Sequence, residues 1–295
     1  MILMVSGRTD IIAFYPKWFM NRYHEGYVDV RNPFNPKLVS RINFDNVDAI
    51  MFCTKNPIPI INHLKEINKP ILFHVTLTPY NKDIEPNVPD KKKIIEAIKK
   101  ISSIIGPDNI YIRYDPIFLN DKYNINYHQR AFNKMCQLLN GYVKHIIISF
   151  IDDYKNVRKN YKYLNYKEFT KDDYKSIGIS FSKSAKENNM TVQTCFEDNN
   201  LTEYGFIKED CLSHTLAYKL TGKTFNTWKA RKGGKCKCVE MVDIGVYNTC
   251  KHLCKYCYAN FDEQEINNNL KNHNPNSSLL IGRLNSDDII KERIK

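Results

Sequence analysis

The sequence predicts an α/β protein whose parallel strands curl into at least part of a (β/α) barrel, and three observations predict it. Short β-branched or apolar runs alternate with longer amphipathic segments from one end to the other, the order that repeated βα units produce. The 295 residues, 42% of them hydrophobic, match the usual length of one such barrel and suffice for a sizeable core. No internal repeat and no Gly/Ser linker divides the chain, so residues 1–262 read as one domain and 263–295 as a polar tail packed on or near it.

Seven runs are the strand candidates: "ILMVS" (2–6), "VDAIMFC" (47–53), "ILFHVTLT" (71–78), "IYIRYDPI" (110–117), "HIIISFI" (145–151), "TVQTCF" (191–196) and "VEMVDIG" (239–245). Helical spacing is clearest in "KKKIIEAIKKISSII", through Ile94, Ile98, Ile101 and Ile105. It recurs in "YHQRAFNKMCQLLNGY", where Phe132, Met135, Cys136 and Leu139 share a face and Gly141 supplies a stop. "VDVRNPFNPKLVSRINF" (28–44), with prolines between two extended pieces, reads as a hairpin excursion from the barrel. The Asn-rich tail from about 262 reads as a surface helix and loop.

The formal charge of +12 suggests an anionic partner such as nucleic acid, a nucleotide or a phosphorylated metabolite. Lysine and asparagine are abundant everywhere, however, so much of that charge reads as solvated background, and no arginine cluster interleaved with aromatics stands out. No apolar run reaches the roughly 18 residues of a spanning helix, and no leader precedes the first strand, so a soluble, cytoplasmic protein without membrane contact is expected. In a reducing compartment, nine cysteines are thiols, metal ligands or redox groups before they are disulfides.

Parallel barrels do their chemistry where strands end and βα loops begin. The polar residues there are Arg8 and Asp10; Thr54, Lys55 and Asn56; Thr76, Thr78 and Tyr80; Arg113 and Asp115; Ser149 and Asp152; Cys195 and Glu197; and Asp243. The loop after the last strand, "CKHLCKYCYAN" (250–260), belongs to the same rim. A structural zinc site closes its tetrahedron with four protein ligands, whereas Cys250, Cys254 and Cys257 leave a position open for chemistry. A zinc knuckle that recruits His252 is the competing reading, but a histidine inside the first spacer is poorly placed for the same metal.

Cys195, Cys211, Cys236 and Cys238 make a second group, a four-thiolate site for a second [4Fe-4S] cluster or zinc, with the glycines of "RKGGKCKC" letting the backbone wrap it closely. Alternatively Cys195 and Cys211 are small buried hydrophobes. Cys53, inside an apolar strand, and Cys136, on an apolar helix face, read as core. There is no P-loop and no nucleophile elbow.

The spacing CxxxCxYC, with Tyr256 as the aromatic, resembles the cluster loop of the radical S-adenosylmethionine superfamily. The resemblance implies a radical S-adenosylmethionine enzyme on a TIM-type (β/α) barrel. Its [4Fe-4S] cluster would be held by Cys250, Cys254 and Cys257, with S-adenosylmethionine on the fourth iron and a reductant such as flavodoxin or ferredoxin as partner. It also implies a helix at "YCYANFDEQEI" and hydrogen abstraction from a substrate not named by the sequence. In that superfamily the motif follows the first strand; here it lies near the C-terminus, so the barrel is read as permuted.

The permuted counterpart of the glycine-rich cofactor turn is "GRTD", in which Gly7 permits close approach and Arg8 and Asp10 meet the methionyl group or ribose. Arg113, Asp115 and Lys55 are the catalytic candidates. Arg113 and Asp115 face the cavity as an ion pair, either a ligand contact or a structural salt bridge. Lys55 with Asn56 binds an anionic substrate or the adenine or else caps a loop, and Glu85 contacts ribose or starts a helix. Tyr80, Tyr256 and Tyr258 are candidates to stack on adenine. Almost end to end, through "RTDIIAFYPKWF", "TKNP", "RYDPI" and "CKCVEMVDIGVYNTCKHLCKYCYAN", the chain is also similar to an uncharacterised bacterial domain-of-unknown-function family. "TKNP…TLTPYNKDIEPNVP…RYDPI" faintly resembles spore photoproduct lyase-like proteins, which points to a substrate related to nucleic acid or nucleotides. Two other classes stay open: a zinc-stabilised nucleic-acid-binding protein, and an iron–sulfur electron-transfer or sensor protein.

Overall fold

In the computed structural model, residues 1–195, 197, 201–229 and 236–294 are described. The large sheet has seven strands: β1 (Ile2–Val5), β4 (Ala49–Thr54), β5 (Ile71–Thr76), β6 (Ile110–Ile117), β7 (His145–Phe150), β8 (Thr191–Thr194) and β9 (Met241–Asp243). Each of the seven expected runs supplies one. Their order is β8-β7-β6-β5-β4-β1-β9 and every pairing is parallel. β8 and β9 are the two edges of this sheet. Mixed α/β architecture with a parallel sheet is therefore what the molecule has, and no strand pairing closes the ring among the described residues. β9 joins the outer edge of β1, with Ile2 opposite Met241.

Such strands read as apolar runs because both faces are covered. On one face Leu3, Phe52, Phe73, Ile112 and Ile148 pack against helices. These helices are α1 (Ile11–Phe14), α2 (Pro16–Glu25), α3 (Lys91–Ile105), α4 (Ile125–Leu139) and α7 (Lys171–Glu187); two short ones, α5 (Lys155–Lys159) and α6 (Tyr161–Leu164), follow β7. The periodic residues of α3 and α4 are the buried ones, Ile94, Ile98 and Ile101 in α3 and Phe132, Met135, Cys136 and Leu139 in α4. Asp90 and Asn124 cap the helix starts by accepting from Lys92 N and Tyr127 N, and Gly141 takes the positive φ of 83° needed just past α4.

On the other face Ile2, Met4, Met51, Leu72, Ile147 and Met241 meet Cys211, Leu212, Cys236 and Cys238, together with α8 (His214–Thr221). Because side chains alternate along a strand, this inner face runs from apolar to polar along β6, as Tyr111, Arg113 and Asp115, and along β7, as Ile147 and Ser149. The polar ends open into a cavity of 780 Å³.

The proline-rich excursion is an antiparallel hairpin, β2 (Tyr27–Arg31) with β3 (Leu38–Asn43). The tail departs from the expected helix and loop. It contains α9 (Glu263–Lys271) and then β10 (Ile289–Glu292), which adds to β3 in parallel. Ile289 and Ile290 are exposed, so the strand is held by backbone pairing and gives no apolar pattern to read. The helix after the cysteine loop begins only at Glu263, with Asp262 as its cap, because the loop itself is irregular through Asn260. No helix of the described residues is long and apolar enough to cross a membrane.

Candidate functional site

Of the polar strand-end residues, most reach the cavity: Arg8, Asp10, Lys55, Arg113, Asp115 and Asp243 line it, as do Cys250, Cys254, Cys257 and Tyr256. Tyr80 does not. It is 2% exposed, its hydroxyl donates to Pro116 O, and its ring stacks on Phe118 at 4.5 Å, so it is core. Cys53, expected in the core, is half-buried on the inner face and lines the cavity.

The cysteine loop is clamped from several directions. Asn87 Nδ2 donates to Lys251 O at 2.7 Å, Asn160 Nδ2 to Lys255 O at 2.8 Å, and Asn156 Nδ2 to Cys257 O and Tyr258 O at 3.4 and 3.3 Å. Asn260 reaches back across the loop to Cys250 O at 2.8 Å, and Tyr15 Oη donates to Thr249 O at 2.6 Å. Leu253, at φ 57°, makes the tight bend between the first two cysteines. None of these asparagines was singled out by the sequence, where they merge into an Asn-rich background.

Burial raises the pKa of all three thiols, and neighbouring groups act on that in different ways. The backbone N–H of His252 points at the Cys250 sulfur, and those of Ala259 and Asn260 at the Cys257 sulfur, each favouring the thiolate. Lys55 does the same for Cys254 through its charge. Such donors stabilise metal-bound thiolates. Among the described residues the buried Thr9 hydroxyl has no hydrogen-bond partner, and Thr9 lines the cavity, where a bound group could satisfy it.

His252 is not available to complete a zinc knuckle. Its Nε2 contacts Asp10 Oδ2 at 2.9 Å and its Nδ1 faces Asn87 O at 3.4 Å. Among the described residues no three His, Cys, Asp or Glu side chains are arranged to hold a single metal ion. Three thiolates serving three irons of a cubane stand further apart than the ligands of one ion, so this arrangement bears on zinc and leaves a cluster open.

Asp10, expected to meet a cofactor, is a tie between loops. It caps α1 by accepting from Ala13 N at 3.2 Å, and it accepts from Lys55 N at 2.7 Å besides holding His252. Arg8, 15% exposed at its side chain, is likewise committed: its Nε is 3.3 Å from Asp243 Oδ2 and its Nη2 donates to Asp243 O at 2.9 Å. Burial raises the Asp243 pKa against the pull of that guanidinium. Gly7 does give close approach, since a Cβ there would stand 3.1 Å from Met4 Cε and 3.2 Å from Asp243 Oδ2.

Glu85 stands behind the cavity wall, 1% exposed, as the centre of a buried network. It accepts from Lys55 Nζ at 2.9 Å, from Thr78 Oγ1 at 2.6 Å, from Lys91 Nζ and from the Tyr256 hydroxyl. Burial alone would raise its pKa, but Lys55 and Lys91 bring it down to about 2. It is neither a ribose contact nor a helix start; it fixes the aromatic residue of the cysteine motif. Lys55 in turn lies 5.2 Å from the Tyr256 ring centroid and keeps its charge despite burial, through Glu85 and then Cys254.

Arg113 and Asp115 form the expected ion pair on the inner face, with Arg113 Nε 2.8 Å from Asp115 Oδ2. Burial opposes the Arg113 charge, but Asp115 and then Cys195 and Cys211 hold its pKa well above the usual guanidinium value. The pair thus lies beside the second cysteine group. There Cys211 Sγ is 3.3 Å from Cys238 Sγ, Cys195 hydrogen-bonds Cys211, and Cys236 is buried in the same cluster. Gly233 and Gly234, expected to wrap a metal, lie outside the described residues.

No curated protein and no solved structure matches the chain. A family model, described as a domain of unknown function, matches residues 2–259, a span that covers every strand of the large sheet together with the cysteine loop, and the chain therefore belongs to the DUF1848 family.

Proposed function

We propose that the chain is a radical S-adenosylmethionine enzyme on a permuted partial (β/α) barrel, with Cys250, Cys254 and Cys257 as ligands of a [4Fe-4S] cluster. One observation carries this reading: the three cysteines line one large cavity together, Cys250 and Cys254 buried and Cys257 half-buried, their loop is clamped, and its only histidine is turned to Asp10. Bound there, cluster and S-adenosylmethionine supply reductive cleavage of the sulfonium to methionine and a 5′-deoxyadenosyl radical, which takes hydrogen from the substrate.

The chain's own residues do the rest. Asn87, Asn156, Asn160 and Asn260 orient the loop, and backbone N–H groups hold negative charge on the sulfurs. Gly7 leaves room above β1, and the Thr9 hydroxyl and the Arg113–Asp115 pair offer polar contacts to the bound groups. Glu85 and Asp10 act as positioning residues. Because reduction starts the reaction, an electron donor such as flavodoxin or ferredoxin is the required partner.

The inner cysteines are read as an accessory site. As placed, with sulfurs in contact, Cys195, Cys211, Cys236 and Cys238 do not form a closed site for one ion, so no step is assigned to them and metal analysis decides what they hold.

Anaerobic reconstitution with iron and sulfide, then dithionite reduction with S-adenosylmethionine and chromatography for 5′-deoxyadenosine, tests the proposal. The nucleoside is expected, with about four irons per chain for one cluster or about eight for two. An iron-loaded protein that never cleaves S-adenosylmethionine would be an electron carrier or sensor. Zinc without iron would overturn the reading.

A further inference from the structure

The segment that carries α5 and α6, residues 154–167, and the cysteine loop, residues 250–261, together hold seven lysines and arginines and no aspartate or glutamate. They are far apart in sequence, yet they form one surface. Asn156 and Asn160 donate to carbonyls of the loop, Lys159 Nζ donates to Phe261 O at 3.0 Å, and Lys255 Nζ lies 4.9 Å from the Tyr163 ring centroid.

Large rings stand open on this surface. Tyr161, Tyr163 and Tyr258 are 49%, 50% and 50% exposed, and Tyr154 and Phe261 are exposed beside them. Val157 and Leu164 of the same segment are buried, so what faces outward is aromatic and cationic with no exposed aliphatic side chain among α5 and α6. Tyr154 and Tyr258 pack 5.6 Å apart and both line the cavity, so the surface runs into its mouth. Arg158 is matched by Asp153 at 2.7 Å, whereas Lys162 and Lys255 lie over the Tyr163 ring and Lys159 donates to a carbonyl.

We propose that this face binds single-stranded nucleic acid, with bases stacked on the tyrosines and phosphates along the lysines. Aromatic faces beside a cationic track are the general means of holding a single strand. A duplex keeps its bases stacked inward and has no use for the rings. The continuity with the cavity makes a base of that strand the group presented to the site; this last point rests on the function proposed above, whereas binding itself does not.

The test is fluorescence anisotropy of the full-length protein with labelled oligothymidylate, oligouridylate and a duplex, at several salt concentrations. Single strands should bind more tightly than duplex, with affinity falling steeply as salt rises. Tyr161→Ala with Tyr163→Ala should weaken binding roughly ten- to hundred-fold. Lys155→Glu with Lys162→Glu should flatten the log–log salt slope by about 1.4, and Lys134→Glu on α4 should change little. Equal affinity for duplex and single strand, an unaffected tyrosine double variant, an equal loss with Lys134→Glu, or binding to phosphatidylglycerol vesicles but not to oligonucleotides would each overturn the proposal. Neither arm needs cofactor cleavage, so the radical chemistry stands or falls separately.

Discussion

The two cysteine groups face one cavity but are built in opposite ways. Cys250, Cys254 and Cys257 are held on a loop whose backbone is fastened by asparagines from two other parts of the chain, and the sulfurs of Cys250 and Cys257 receive backbone N–H groups. Cys195, Cys211 and Cys238 lean on one another and on Arg113. In the first group the protein spends its polar contacts on keeping thiols in place; in the second the thiols satisfy each other. Under the proposed function, the difference separates a preorganised ligand set from one that would have to rearrange to take up metal.

The largest expected effect breaks the comparison directly. Cys254→Ala should abolish 5′-deoxyadenosine formation, whereas Cys136→Ala, which removes a thiol buried on α4, should leave it intact for a loss of about 1 kcal/mol in stability. The reverse pattern, read by chromatography, would sink the site assignment. Next comes Glu85→Gln, which strands Lys55 and Lys91 in the wall behind Tyr256. Removing one partner of a buried ion pair costs about 3–5 kcal/mol, so chemical denaturation should show a loss of that order; a near-neutral result would mean the network does not brace the motif.

Cys211→Ala sharpens the contrast from the other side. Metal analysis should show loss of iron or zinc beyond the catalytic four irons while cleavage persists; if cleavage vanishes too, the two groups work as one. The smallest effect concerns the frame alone. His128 is buried between Tyr114 Oη and Phe118 O, and burial lowers its pKa from 6.5 to about 4. The unfolded chain therefore binds the proton first, and stability should fall as pH drops from about 6.5 towards 4, by up to about 1.4 kcal/mol per pH unit. His128→Gln should flatten that slope in denaturation series at fixed pH, without altering the metal content of either cysteine group.

All seven strands of the large sheet were legible because short β-branched or apolar runs between helical patterns mark parallel strands covered on both faces, even where β6 carries Arg113 and Asp115 and β8 reads Thr-Val-Gln-Thr. The cysteine loop was legible because ligand spacing is written in consecutive residues. What could not be read depends on partners distant in sequence. Arg8 looks like a cofactor contact until Asp243 is found beside it, and Glu85 like a rim residue until two lysines close over it. β10 carries no pattern because its side chains are exposed and its pairing with β3 rests on backbone groups and the Asn43–Glu292 contact. The tyrosine–lysine interleaving of 154–167 did not stand out from the Lys- and Asn-rich background, because its meaning comes from the loop it packs against.

The place of β9 has a consequence for how the protein is made. β1 leaves the ribosome long before β9, so one of its edges stays unpaired until Met241 arrives opposite Ile2, and the cysteine loop emerges later still. Pairings between such distant segments form slowly and late. The whole of the large sheet must therefore be made before the three thiols can meet their clamps, and the iron proposed for them would be delivered only after that point.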